Sequence, residues 1–141
     1  MKKQIRVVGC IAKYGDTILM LYRSPKETDP SLWGIPAGKV EEGEDDSTTV
    51  IREMFEETGI RLHSNDLQFL GELPIDYDTF TVTFPIYHAS FAEEPAVVLD
   101  KNEHVDHKWL TTKQVLALPN LMKDVDKIIQ EFCIKKLGMI K

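Results

Sequence analysis

The stretch that starts near Asp45 or Asp46 and stops at Gly59 constrains this chain more than any other. It is written as a helix with both ends marked, yet the helix carries charges that local stability would not choose. Asp45 and Asp46 supply a capping residue at the start, and Gly59 supplies a stop at the end. At ~100° per residue, Val50, Ile51, Met54 and Phe55 share one face, which is the face for a core. Glu53, Glu56 and Glu57 fall together on another face, at spacings where like charges repel by ~0.2–0.5 kcal/mol per pair. Glu56 and Glu57 also occupy the last turn, where the negative end of the helix dipole costs each a further ~0.3–1 kcal/mol. Within the helix only Arg52, one turn before Glu56, offers relief.

Breaches of local rules concentrate at functional sites, and clustered carboxylates are what a hard divalent cation needs. A solvated acidic face is the commoner explanation of three glutamates taken alone. The rest of the chain tips the balance. With 17 Lys and Arg against 23 Asp and Glu, the net charge of −6 excludes a nonspecific grip on nucleic acid or on an anionic membrane. An anionic ligand must therefore be held locally. The longest unbroken apolar run, Ile18 to Tyr22, is far short of the ~20 residues a bilayer crossing requires. Lys2 and Lys3 ahead of Val7-Val8-Gly9-Cys10 resemble a lipoprotein leader, but Arg6 interrupts the apolar stretch, so this segment reads as a strand. Cys10 and Cys133 make no CxxC pair, which implies neither a disulfide framework nor a cysteine zinc site and fits a reducing cytoplasm.

The 141 residues carry no internal repeat and no Pro/Gly/Ser-rich linker, so they are expected to form one domain spanning 1–141. Residues 5–12 and 17–23 read as a hairpin joined through Tyr14-Gly15-Asp16, and residues 24–31, with Pro25 and Pro30, as a loop. Trp33 to Gly38 is too rich in Gly and Pro for a helix. Strands are expected at 67–73, 80–86, 97–99 and 105–110; in the second of these, Phe80, Val82, Phe84 and Ile86 alternate with Thr81, Thr83 and Pro85. Leu121, Met122, Val125, Ile128, Ile129 and Phe132 recur at helical spacing, with Gly138 as a C-terminal cap. The total is a mixed sheet packed by helices.

From Gly38 the chain runs through Glu44 to Arg52-Glu53-Met54-Phe55-Glu56-Glu57-Thr58-Gly59-Ile60. In this stretch it resembles the Nudix family. All seven defining residues of that family's 23-residue box are present (Gly38, Glu44, Arg52, Glu53, Glu56, Glu57, Gly59), with apolar residues at 54 and 60. At average residue frequencies such a match arises below roughly once in 10⁸ starting positions. Leu19 to Arg23, the Trp33 to Gly38 approach, and Glu103 followed by Trp109-Leu110 are also family-like, whereas Ala37 stands where many members have glycine.

The resemblance implies an α/β/α sandwich, with a mixed β-sheet between helices, that hydrolyses a nucleoside diphosphate linked to another group. It implies Mg2+, or Mn2+, carried by Glu53, Glu56 and Glu57, with the Gly38 carbonyl as a further ligand. Glu44 and Arg52 would fix the loop and helix. The chemistry of the residues agrees, since an acidic protein approaches a polyanionic diphosphate only through bridging cations, which also acidify bound water. Nucleoside triphosphates are the first expectation for the substrate; dinucleoside polyphosphates, ADP-ribose and nucleotide sugars stay open. The competing hypotheses are a fold-sharing diphosphate isomerase and a Nudix-type regulatory module that binds a nucleotide without cleaving it. Both sit poorly with a complete set of hydrolytic glutamates. Oligomeric state is not legible.

Other residues carry weaker signals. Arg23 and Lys39 are candidates to reach a phosphate, as their counterparts do in some relatives, or are surface charges. Glu103 precedes Trp109 in the loop where members often carry a glutamate that binds metal or activates water, so it is a fourth candidate catalytic carboxylate. His104 and His107 suggest a zinc pair, but strand alternation points them to opposite faces and no metal role is expected of them. Trp33, Tyr77 and Tyr87 are expected in the core or on a sheet face rather than on a base. Asn120 would read a base edge or cap the last helix.

Overall fold

The computed structural model describes residues 2–28 and 30–141, so Asp29 of the expected 24–31 loop lies outside the described residues. Strands β1 (Lys3–Tyr14) and β2 (Thr17–Arg23) form the expected hairpin, but they pair only near its tip, at Lys13↔Ile18 and Tyr14↔Thr17. Beyond that point the two diverge. β1 takes β4 (Ala37–Lys39) on one edge and runs parallel to β6 (Phe80–Phe91) on the other, whereas β2 takes β3 (Trp33–Gly34) and β7 (His104–Thr111). β5 (Gln68–Asp76) closes the far edge against β6. The main path of the sheet is therefore β3-β2-β1-β6-β5, and it is mixed because only β1 and β6 are parallel.

Each side of the sheet is covered. Helix α1 (Asp46–Thr58) buries Val50 and Met54 against Val8, Cys10 and Ala12 of β1 and Leu19 and Leu21 of β2. The opposite faces of the same strands present Ile11, Ile18 and Met20 to Val115 of helix α2 (Thr112–Leu116), Val125 and Ile128 of helix α3 (Val125–Ile128), and Ile129, Phe132 and Cys133 of the π-helix that continues it, Ile129–Lys136. Burial on both faces explains why Ile18 to Leu21 is uninterruptedly apolar instead of alternating. The layers form the expected α/β/α sandwich.

Helix α1 begins and ends where its caps dictate. The Asp45 carboxylate accepts from Thr48 N–H at 2.8 Å, and Gly59 adopts φ 73°, a left-handed conformation that a side chain would resist. Three expectations are corrected. Phe55, expected on the core face of α1, is exposed, with the Arg61 guanidinium over its ring. Residues 97–99 form no strand, because Val98 N–H donates to Thr58 O at 2.8 Å and Val97 and Leu99 pack on the core beneath α1. Helical structure also does not start at Leu121: that residue bridges to Trp33, Met122 N–H donates to Trp33 O, and helix α3 begins at Val125 only after Asp124 takes a left-handed φ of 63°. At the other end Gly138, at φ 68°, lets Met139 N–H close the helix onto Cys133 O, as a cap glycine should.

Candidate active site

β4 presents the Ala37-Gly38-Lys39 backbone across from the last two turns of α1. Gly38 has no room for a side chain: a Cβ there would lie 2.0 Å from Cδ of Glu53. A glycine in this place lets the strand backbone press against a carboxylate. One residue earlier, Ala37 N–H donates to Oε1 of Glu57 at 3.0 Å.

Arg52 organises the outer part of the group. Its Nε and Nη2 grip the two oxygens of Glu44 at 2.7 and 2.9 Å, Nη2 also reaches Lys39 O at 3.2 Å, and Nη1 donates to Glu53 at 2.8 Å and to both oxygens of Glu56 at 3.3 Å. Glu44 further accepts from Glu41 N–H and Thr49 Oγ1. The Arg52 hydrogen bond, with that from Glu41 N–H, holds the Glu44 carboxyl down at about 2. A loop acid, a helix arginine and a strand carbonyl are thereby tied together, which rigidifies the platform carrying the glutamates.

The inner carboxylates are less well satisfied. Glu57 is only 4% exposed, and burial first, then the charges of Glu53 and Glu103, push its carboxyl well above the ordinary range. Burial also raises Glu53, against the pull of Arg52, and raises Glu103, with help from Asp100. A ligand atom from each of Glu57, Glu103 and His104 lies within 4.8 Å of the others. His104 is 5% exposed, its Nδ1 is buried without a hydrogen-bond partner, and burial, then the Arg23 charge, draws it down to about 4. One buried and two half-buried acids that repel one another, beside an imidazole whose Nδ1 has no partner, form a donor set that fits a divalent cation.

These groups line one end of a cavity of about 450 Å³ that also takes in Gly38, Lys39, Arg23, Glu27 and Thr28. The rest of its wall is mostly apolar, with Val7, Ile35, Ile75, Val82, Phe84 and Met122, and also includes Tyr77 and Lys123. A site with an acidic, cation-hungry end and an apolar body suits a phosphorylated molecule with a less polar group attached.

A profile of the NUDIX domain matches residues 3–132. The chain belongs to the Nudix family. It is 36% identical over 136 residues to an uncharacterized Nudix hydrolase, YvcI, of Bacillus subtilis (strain 168), covering 96% of this chain and 82% of that one. It is 31% identical over 106 residues to the ADP-ribose pyrophosphatase of the same organism, covering 72% of this chain and 55% of the relative. The chain spans from 35% to 63% of the length of three curated relatives it matches, that pyrophosphatase among them. Among solved structures, the MutT NUDIX hydrolase of Burkholderia pseudomallei superposes with a TM-score of 0.77 at 25% identity, over 93% of this chain and 99% of that one.

Within this Nudix chain the expected residues are not all gathered. Glu53, Glu57, Glu103, Arg23 and Lys39 line the cavity with Gly38; Glu56 does not, and its side chain, 52% exposed, leans on Arg52. Arg23 spends its Nε on Thr28 O at 2.9 Å and an Nη on Glu27 at 3.4 Å, which fixes it at the rim. Trp33 is buried against Tyr22, and Tyr87 pairs with Phe69, as expected of core and sheet positions. Tyr77 lines the cavity and stacks on Phe80. Asn120 does not cap the last helix; its side-chain amide donates to Ser31 O at 3.2 Å, and it is not among the residues that line the cavity. His104, which strand alternation separates from His107, lies beside Glu103 and the Glu57 carboxylate arriving from α1, a proximity that alternation along β7 alone does not give.

Proposed function

We propose that this Nudix protein is a divalent-metal-dependent pyrophosphohydrolase that cleaves a nucleoside diphosphate linked to another moiety. The observation that carries the reading is Glu57: a buried carboxylate facing Glu103, held above the ordinary range, at the floor of a cavity whose rim carries Arg23 and Lys39. Glu53, Glu57 and Glu103, with the Gly38 carbonyl, would hold Mg2+ or Mn2+, and Glu56, which leans on Arg52 outside the cavity, would join them on turning away from that guanidinium. Such an ion, when bound, neutralises phosphate oxygens and makes a coordinated water more acidic. The chain's own groups do the rest. Arg23 and Lys39 take up phosphate charge at the rim. Glu103, or its rival Glu53, accepts the proton of the attacking water. The Arg52–Glu44 pair keeps the strand and helix in register while charge builds up, and the apolar wall holds the attached group and excludes water.

Nucleoside triphosphates are the first substrates to assay. ADP-ribose is the second, because a relative 31% identical is named for cleaving it. Hydrolysis in ¹⁸O-labelled water tests the reading. Attack at phosphorus puts the heavy oxygen in a phosphate product. Label found only in a sugar or alcohol product means attack at carbon and a different reaction.

The close contact at Gly38 gives a second test. Gly38→Ala forces a methyl group into the Glu53 carboxylate. A displaced carboxylate should lower turnover by roughly tenfold or more, with a melting temperature close to that of the parent. Wild-type turnover in this variant would remove Glu53 from the reacting geometry.

A further inference from the structure

We propose that His104 is a nitrogen ligand of the cation site, acting with Glu57 and Glu103, and that the site therefore prefers a first-row transition-metal ion to Mg2+. The inference rests on the reading that these carboxylates hold a divalent cation, and it concerns a residue outside the glutamate box. Two independent observations support it. The first is position: a ring nitrogen of His104 and one oxygen each of Glu57 and Glu103 lie within 4.8 Å of one another. Donors on a small divalent ion lie about 3.0 Å apart when adjacent and about 4.2 Å apart when opposite, and of three donors only one pair can be opposite, so adjustments of up to about 2 Å complete the set. The second is the state of the ring. His104 is 95% buried by its 5% exposure, yet Nδ1 bonds to nothing, whereas a histidine retained only for packing normally finds a partner. The backbone around it is anchored: His104 N–H donates to Asp100 O at 2.9 Å, Ser24 N–H donates to Glu103 O at 2.8 Å, and His104 pairs with Arg23 across the strands. The ladder holds the imidazole in place without using it.

The ligand chemistry follows from the donors. Carboxylate and water oxygens alone suit Mg2+, whereas an imidazole in the shell favours the ions from Mn2+ to Zn2+, which accept nitrogen readily. A glutamine at 104 keeps a polar side chain of similar reach and removes the imidazole.

The test uses the full chain freed of metal and the ions alone. Pulsed EPR of the wild-type protein with one to three equivalents of Mn2+ should show coupling to an imidazole nitrogen, and calorimetry should show tighter binding of Mn2+ than of Mg2+. In His104→Gln the nitrogen coupling should vanish and Mn2+ affinity should fall ~10-fold, with Mg2+ affinity changed less than about threefold. Absence of nitrogen coupling in the wild type at every loading overturns the proposal without any variant. Equal losses for Mn2+ and Mg2+ in His104→Gln, or none for either, also overturn it. If neither ion binds the wild-type protein at millimolar concentration, the cation-dependent function itself fails, an outcome distinct from Mg2+ binding with no nitrogen in the shell.

Discussion

Replacing Glu57 by Gln is expected to cut turnover by ~10²-fold or more while raising the melting temperature of the metal-free protein. Both effects have one cause. The Glu57 carboxyl is buried and faces Glu53 and Glu103, so its ionisation is opposed in the folded state. An acid whose folded value is raised supports the fold fully below its unfolded value, ~4.3, and that support is lost as pH rises through the higher folded value. At neutral pH the ionised side chain is thus a liability in the absence of a cation. Gln keeps an oxygen for Ala37 N–H and drops the charge. The melting temperature of the variant should therefore exceed that of the metal-free parent by a margin that grows as pH rises from about 4 toward 7. With saturating divalent ion the order should reverse, because only the parent gains the full binding free energy. Calorimetric melts across pH, with and without chelator, measure the stability half; steady-state kinetics measures the other. Unchanged turnover in Glu57→Gln, or full activity in excess chelator, would sink the cation-based reading, and a lower metal-free melting temperature would sink the electrostatic argument alone.

Glu103→Gln should reduce kcat by ~10²- to 10⁴-fold with little change in KM, the range expected when a positioned proton acceptor is removed. Glu103 lines the cavity beside Glu57, and its carboxyl is raised by burial and by Asp100, which suits a group that must take up a proton. Two roles separate experimentally. If Glu103 serves mainly as a ligand, added Mg2+ should partly restore kcat; if it takes the proton of the attacking water, added metal should not help. Wild-type kcat in Glu103→Gln at every pH would exclude it and leave Glu53 as the acceptor.

The parts of this molecule that were legible in its sequence are those whose causes are local. Helix α1 ends where Asp45 and Gly59 end it, and its register alone carries Glu53 and Glu57 toward β4. The hairpin follows from the short turn between two apolar runs. What misled was spacing read without its partners. Leu121 and Met122 sit at helical intervals from Val125, but Trp33, distant in sequence, claims them as extended chain. Val97 to Leu99 look like a strand, but the last carbonyls of α1 needed a donor and took Val98 N–H. The three glutamates read as one face, whereas Arg52 divides them, keeping Glu56 outside and leaving Glu57 to meet Glu103 and His104. That meeting depends on how β7 lies against β2, information that no window of sequence contains.

The parallel pairing of β1 with β6 bears on how the chain assembles. From Lys3↔Phe80 to Tyr14↔Phe91, the first strand waits for partners in the second half of the polypeptide. Until those residues arrive, its neighbours are only the hairpin tip of β2 and the three residues of β4. A nascent or partly unfolded chain therefore presents an open β1 edge flanked by Val8, Cys10, Ile11 and Ala12, all of which the finished structure buries. Such an edge is a template for pairing between molecules. Pairing of distant segments is also slow, because loop closure must be paid for first. Yield on refolding is consequently a contest between β6 of the same chain and β1 of another, a contest that dilution favours and concentration loses.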